Sequence, residues 1–120
     1  MTRAACLLTL ITLAIATSAS AQTASSDAAR MERGRVVHDY WCATCHSAGR
    51  GMPGTAALAV KYENQPAVPP VLSDRTNLTP ASIKFFVRNG VSVMPFFRKT
   101  EIGDADLEAL TMFLMRNRKP

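Results

Sequence analysis

The chain has 120 residues, room for one domain, and a formal net charge of +5 from 14 Lys and Arg against 9 Asp and Glu. That excess falls short of the Lys/Arg density of a nucleic-acid binder, so no nucleic-acid partner is expected. With three cysteines, one of them at position 6, no disulfide framework is expected.

Met1-Thr2-Arg3 supplies a short positive start, Ala4 to Ala16 is almost unbroken apolar sequence, and Ala19-Ser20-Ala21 follows as an A-x-A site. Residues 1–21 therefore read as a secretory signal peptide, which predicts export to the periplasm. A permanent anchor needs about 20 apolar residues; this run is shorter and ends in small polar residues, so no stable membrane anchor is expected. Cys6 and Arg3 leave with the segment. Residues 22–33 are expected to be a flexible lead-in and the start of a first helix. Gln22 to Ala29 lacks periodicity, which suggests disorder, and helical composition runs from about Ala28 to Tyr40. The domain proper is placed at 34–118. Its few aromatics make a protein-only core marginal for an exported chain of this size.

Gly34 lies inside that first helix. A helix-interior glycine costs about 1 kcal/mol against alanine, so it marks either a close approach of another backbone or a tolerated glycine. The helix runs into Cys42-Ala43-Thr44-Cys45-His46. Two thiols at i and i+3 with a histidine after the second form the haem-attachment arrangement. One helical turn separates the two sulfurs, so both can reach the vinyl groups of one porphyrin, and His46 projects toward the iron as a proximal ligand. One covalent haem c is thus the expected cofactor, and its two propionates, with Arg3 gone, leave a mildly basic surface.

Ser47 to Leu78 is punctuated by Gly49, Gly51, Pro53, Gly54, Pro66, Pro69 and Pro70, and is expected to be mostly loop with a short helix at Ala56 to Tyr62. A loop region this long needs something to wrap. Order returns at Thr79-Pro80, an N-cap followed by a proline at the first helical position, and this helix closes at Gly90 in a left-handed cap. Ile83, Phe86 and Val87 share its apolar face. A loop carries Met94-Pro95-Phe96. Gly103 or Asp104 opens a last helix with Leu107, Leu110, Phe113 and Leu114 in a stripe and basic residues at its end. No stretch shows strand alternation. The fold class is all-α.

Taken together, Gly34, the Cys42 to His46 motif, Pro70-Val71-Leu72 with Arg75, Val87-Arg88-Asn89-Gly90 leading to Met94-Pro95, and Phe113-Leu114 resemble the small class I c-type cytochromes. The resemblance implies a cytochrome c fold: three main helices and a long loop enclosing one covalent haem, the first and last helices crossing at Gly34. It implies Met94 as the sixth iron ligand, which suits a methionine on a loop whose backbone is restricted by Pro95. The alternative, His38, leaves from the helix that delivers Cys42. Met112 and Met115 read as core packing. The resemblance also implies that the Pro70 carbonyl accepts a hydrogen bond from His46 Nδ1. Arg75 reads as a haem-propionate partner or as an ordinary surface arginine. His38 stands where the family usually has an aromatic, and an imidazole can fill the same flat slot.

Other chemistries of the motif fit less well. A thioredoxin-like pair would follow a strand, four zinc ligands would have to crowd into His38 to His46, and a cysteine nucleophile lacks a separate base. An iron with two protein ligands has no open position for substrate, so the expected function is single-electron transfer by a carrier, not an enzyme. The expected partners are an exported dehydrogenase as donor and a downstream oxidase or cytochrome. The middle loop and the Val-Arg-Asn-Gly to Met-Pro-x-Phe stretch are similar to the cytochrome subunits of p-cresol methylhydroxylase-type flavin dehydrogenases, which suggests a subunit or cognate acceptor of a flavin- or quinone-dependent oxidoreductase. A free diffusible shuttle is the alternative, and a haem enzyme or sensor with an open sixth site a further one. Phe96 and Phe97, with Arg88, Arg98 and Lys99, are expected to give the haem edge an exposed apolar centre and a basic rim.

Overall fold

The computed structural model describes residues 25–118. The signal-peptide reading of residues 1–21 lies outside them, as do residues 22–24. The chain divides at Arg30 into two units. In the first, residues 25–30 are helical and exposed, with Arg30 and Asp27 4.0 Å apart. Helix is thus present where the sequence suggests disorder up to Ala29. Ala28 and Ala29 are strong helix formers, and an i,i+3 ion pair adds to them.

The second unit begins at Met31 and carries the core. Its helices are α1 (residues 31–41), α2 (Ala43–His46), α3 (Pro53–Lys61), a 3-10 turn (Leu72–Asp74), α4 (Pro80–Asn89) and α5 (Asp104–Met115). No strand occurs among the described residues; one isolated bridge joins Val91 and Met94. The fold is all-α, as expected.

Helix α4 is bounded by the signals read from its sequence. Thr79 Oγ1 accepts the Ser82 N–H at 3.1 Å, Ser82 Oγ accepts the Thr79 N–H at 3.1 Å, and Pro80 takes the first turn. This reciprocal pair satisfies two N–H groups that the helix start leaves without carbonyls. Gly90 ends it at φ +67°. Ile83 and Val87 are buried, and Phe86 is half-buried. Helix α5 starts after Gly103 with Asp104 and Asp106 in its first turn, where acidic groups suit the dipole. Leu107, Leu110, Phe113 and Leu114 are all buried, and with Val37, Ile83, Val87 and Ile102 they form the core. Met115 packs against that core and Met112 is half-buried.

α1 and α5 meet at Gly34. A Cβ built there would stand 2.0 Å from the Ala109 carbonyl oxygen and 2.8 Å from Phe113 Cβ. The glycine is present because another backbone occupies the space. One turn on, His38 is 5 % exposed and packs its ring 5.3 Å from that of Phe113, so the imidazole fills the flat slot. Its Nδ1 lies 3.0 Å from Asp39 Oδ1, whereas its Nε2 is buried with no hydrogen-bond partner. Arg33 closes the crossing from outside, donating from Nε and Nη2 to the two oxygens of Asp106, both at 2.7 Å.

Between α2 and α4 the chain is less irregular than its glycines and prolines suggest. Helix α3 begins three residues before the expected start, because Pro53 takes the first-turn position, where its missing N–H costs nothing. The 3-10 turn is tied to the end of α5 by Asn117, which donates to the Ser73 carbonyl at 2.9 Å.

Candidate haem site

Cys42, Cys45 and His46 issue from one helical turn. The Cys42 N–H donates to the His38 carbonyl at 2.8 Å, and the Cys45 and His46 N–H groups donate to the Cys42 carbonyl at 3.1 and 2.9 Å. Cys42 is buried and Cys45 exposed, both as free thiols. Burial, then Asp39 and Cys45, push the Cys42 thiol up to about 12, so it stays protonated at neutral pH. His46 moves the other way. Burial first, then His38 and Arg75, hold it below its usual value, which leaves the ring neutral with a lone pair to offer a metal.

The bond expected from His46 Nδ1 to the Pro70 carbonyl is not formed. Nδ1 is buried and has no partner among the described residues. The first turn of α3 lies against the ring instead: a Cβ on Gly54 would stand 2.5 Å from His46 Cε1, 2.7 Å from Nδ1 and 2.8 Å from Nε2. Pro70 is half-buried in the segment before the 3-10 turn.

Arg75 is 3 % exposed, which rules out the ordinary surface arginine. Its Nε and Nη2 donate to Asn77 Oδ1 at 3.1 and 2.9 Å, and its guanidinium stacks 4.3 Å from the Tyr62 ring centroid. Among the described residues no carboxylate pairs with it. A buried cation without an anion is costly, and a planar guanidinium is shaped to take a carboxylate on two donors.

Met94 is half-buried on a loop held by its own backbone. The Val91 N–H donates to the Met94 carbonyl at 3.1 Å, the Met94 N–H returns to the Val91 carbonyl at 2.9 Å, and the Phe97 N–H donates to the Val87 carbonyl at 2.8 Å. Ser92 takes φ +53° to make the turn. Gly90 is required beneath it, since a Cβ there would stand 2.6 Å from the Met94 carbonyl oxygen.

The apolar centre and the basic rim expected beside this loop differ from the structure. Phe96 is exposed, with Val91 and Val93, but Phe97 is half-buried and packs edge-on to Trp41 at 5.6 Å. Each rim cation has a partner. Arg98 bonds Glu101 at 2.7 Å, Lys99 bonds Asp104 at 2.7 Å, and Arg88 bonds Asp104 at 3.0 Å while donating to the Phe97 and Ile102 carbonyls. Two carboxylates, Glu101 and Asp104, thus offset most of the charge of three cations.

Residues 29–114 match the family model described as cytochrome c oxidase, cbb3-type, subunit III. The chain belongs to this c-type cytochrome family. No curated protein and no solved structure matches it. The family's prosthetic group is covalently bound haem c with its iron, and membership points to electron transfer by a carrier rather than to an enzyme.

The side chains of this c-type cytochrome fit that group. Two thiols and an imidazole leave one turn, a thioether sulfur sits on a preformed loop, and a buried guanidinium has no carboxylate among the described residues. Cys42, Cys45, His46, Met94 and Arg75 could hold it. Gly54, Tyr62 and Asn77 are additions to the residues named from the sequence. Gly54 was legible only as loop punctuation, and nothing in the spacing of Tyr62 and Asn77 ties them to Arg75. No described helix is long and apolar enough to cross a membrane.

Proposed function

We propose that this protein is an exported, periplasmic carrier of single electrons with one haem c, which Cys42 and Cys45 would anchor and whose iron His46 and Met94 would bind. Arg75 takes a propionate. The observation that carries this reading is the delivery of both thiols and His46 from a single turn, in a chain with one such motif. Bound there, the haem supplies an iron that exchanges one electron at fixed ligation, and Met/His ligation favours a higher potential. The chain's own part is to hold both ligands and to keep the site apolar: Met94 on a loop closed by backbone bonds, His46 against α3, Cys42 within the core.

The proposed donor is an exported dehydrogenase, flavin- or quinone-dependent, and the acceptor an oxidase or a larger cytochrome. Similarity of the middle loop and of the stretch from Val87-Arg88-Asn89-Gly90 to Met94-Pro95-Phe96-Phe97 to p-cresol methylhydroxylase-type cytochromes supports the donor side. The family description, which names an oxidase subunit, supports the acceptor side. Whether the protein is a bound subunit or a free shuttle is tested by gel filtration of a native extract: co-elution with a dehydrogenase supports the subunit. The haem assignment is tested by denaturing electrophoresis and acid–acetone extraction of protein made with a c-type maturation system. Haem should stay on the polypeptide at one per chain; its loss would sink the reading.

A further inference from the structure

We infer that Gly54 is a positioning residue for His46: the space left by its missing side chain holds the imidazole, and the first turn of α3 sets the plane of that ring. This rests on the reading of His46 as the axial ligand.

Gly54 is otherwise hard to account for. It stands in the first turn of a nine-residue helix, where alanine is the better helix former. Its backbone is ordinary helix and does not use the left-handed region that Gly49, Gly51 and Gly90 occupy. Conformational freedom therefore does not explain it, and space does. A Cβ would fall within 2.8 Å of Cε1, Nδ1 and Nε2 of His46, the half of the ring that carries both nitrogens. Whichever nitrogen binds a metal, this contact limits how far the ring can rotate.

The turn that makes the contact is itself fixed. Gly51, at φ +78°, reverses the chain, Pro53 starts the helix, and the Ala56 N–H donates to the Met52 carbonyl at 2.9 Å. Thr55, next to Gly54, donates from Oγ1 to the Ser47 carbonyl at 2.8 Å. That bond ties α3 to the residue after His46, so the helix cannot retreat from the ring without breaking it. This contact is an outer-shell interaction of the kind that orients a metal-binding imidazole.

In a ferric low-spin haem held by His46 and Met94 the orientations of both ligands, the imidazole plane among them, would govern how unpaired spin spreads over the porphyrin, so with Met94 unchanged a change in the haem methyl shifts in the proton spectrum reports a change in that plane. The test compares holo-protein of four kinds: wild type, Gly54→Ala, Thr55→Val and Ala57→Gly. Gly54→Ala is expected to change the spread and order of the methyl shifts and to move the midpoint potential. Thr55→Val removes the tether without adding bulk and is expected to shift the pattern in lesser degree; it decides the matter if Gly54→Ala takes up no haem. Ala57→Gly weakens the same helix on its exposed side and should leave the pattern as in wild type. A wild-type pattern in both Gly54→Ala and Thr55→Val would overturn the inference, as would equal changes in Ala57→Gly. If wild-type protein shows no hyperfine-shifted His46 ring protons, the ligand assignment itself fails; if they are present and both variants keep the wild-type methyl pattern, only the role of Gly54 fails.

Discussion

The Cα of Gly34 and the carbonyl of Ala109 are so close that a Cβ on the glycine would stand 2.0 Å from that oxygen. Helix propensity alone predicts that Gly34→Ala stabilises the protein by about 1 kcal/mol. The contact predicts the reverse, because neither backbone can yield without separating α1 from α5. Overpacking of this kind costs about 1–3 kcal/mol, and the clash is with backbone rather than a mobile side chain. Denaturant unfolding of Gly34→Ala should show a net loss near the upper end of that range. A gain would mean that the helices do not cross here.

His38 tests the same crossing by a different route. Its Nε2 is buried without a partner, and such an atom costs about 1–3 kcal/mol. His38→Phe keeps the ring contact with Phe113 and removes the orphan, losing only the part-buried bond to Asp39. The variant should be about 1 kcal/mol more stable by the same unfolding measurement, with an unchanged haem spectrum. A spectral change would mean that His38 takes part in the iron site.

What could be read from the sequence was local. The caps of α4 are set by residues within three positions of one another, so Thr79, Ser82 and Gly90 announce them. The Cys42 to His46 turn is likewise a matter of spacing. Gly34 could be read as a close approach, but its partner Ala109 lies in the last helix and only the resemblance implied that crossing. The contact of Gly54 with His46 has no sequence signal, since loop glycines and space-making glycines look alike. The balanced rim was legible and is easily missed: counting Arg88, Arg98 and Lys99 without Glu101 and Asp104 gives a charge that the folded chain does not present.

The ion pair between Arg33 and Asp106 has a defined pH dependence. The bond from Arg33 is the main cause that holds the Asp106 carboxyl below its usual value of 3.8. A carboxylate whose folded value is depressed adds stability that is present above the unfolded value and is lost as pH falls through the folded one. Asp106→Asn should therefore be less stable than wild type at neutral pH, and the gap should close below about pH 4. The gap will be small, because both side chains keep contact with water. Thermal unfolding of the two proteins over this pH range measures it.

If Met94 is the sixth ligand, Met94→Ala should abolish the near-infrared sulfur-to-iron band of the ferric protein, lower its potential and admit carbon monoxide or azide. The loop should survive the change, because the bonds between Val91 and Met94 and between Phe97 and Val87 are made by backbone. Global stability should then fall by no more than about 1–2 kcal/mol, as for loss of one partly buried side chain. An unchanged spectrum would move the assignment to another residue.

The balanced rim changes what electron exchange should look like. With Arg98 on Glu101 and Lys99 and Arg88 on Asp104, the surface beside Val91, Val93 and Phe96 carries little local charge, and apolar contact is left as the main attraction. Rim charges act chiefly on association rate and on its salt dependence. Electron self-exchange between ferrous and ferric protein, read from NMR line widths, probes this face without knowledge of the donor. In wild type the rate should vary little as salt shortens the Debye length to about 8 Å. The double change Glu101→Gln, Asp104→Asn unmasks three cations. Two such faces repel, so its rate should be lower at low ionic strength and recover toward wild type as salt is added. Phe96→Ser should lower the rate at every salt concentration, since it removes apolar contact rather than charge. A steep rise with salt in wild type would show that the cations are not neutralised in solution and would restore the basic rim.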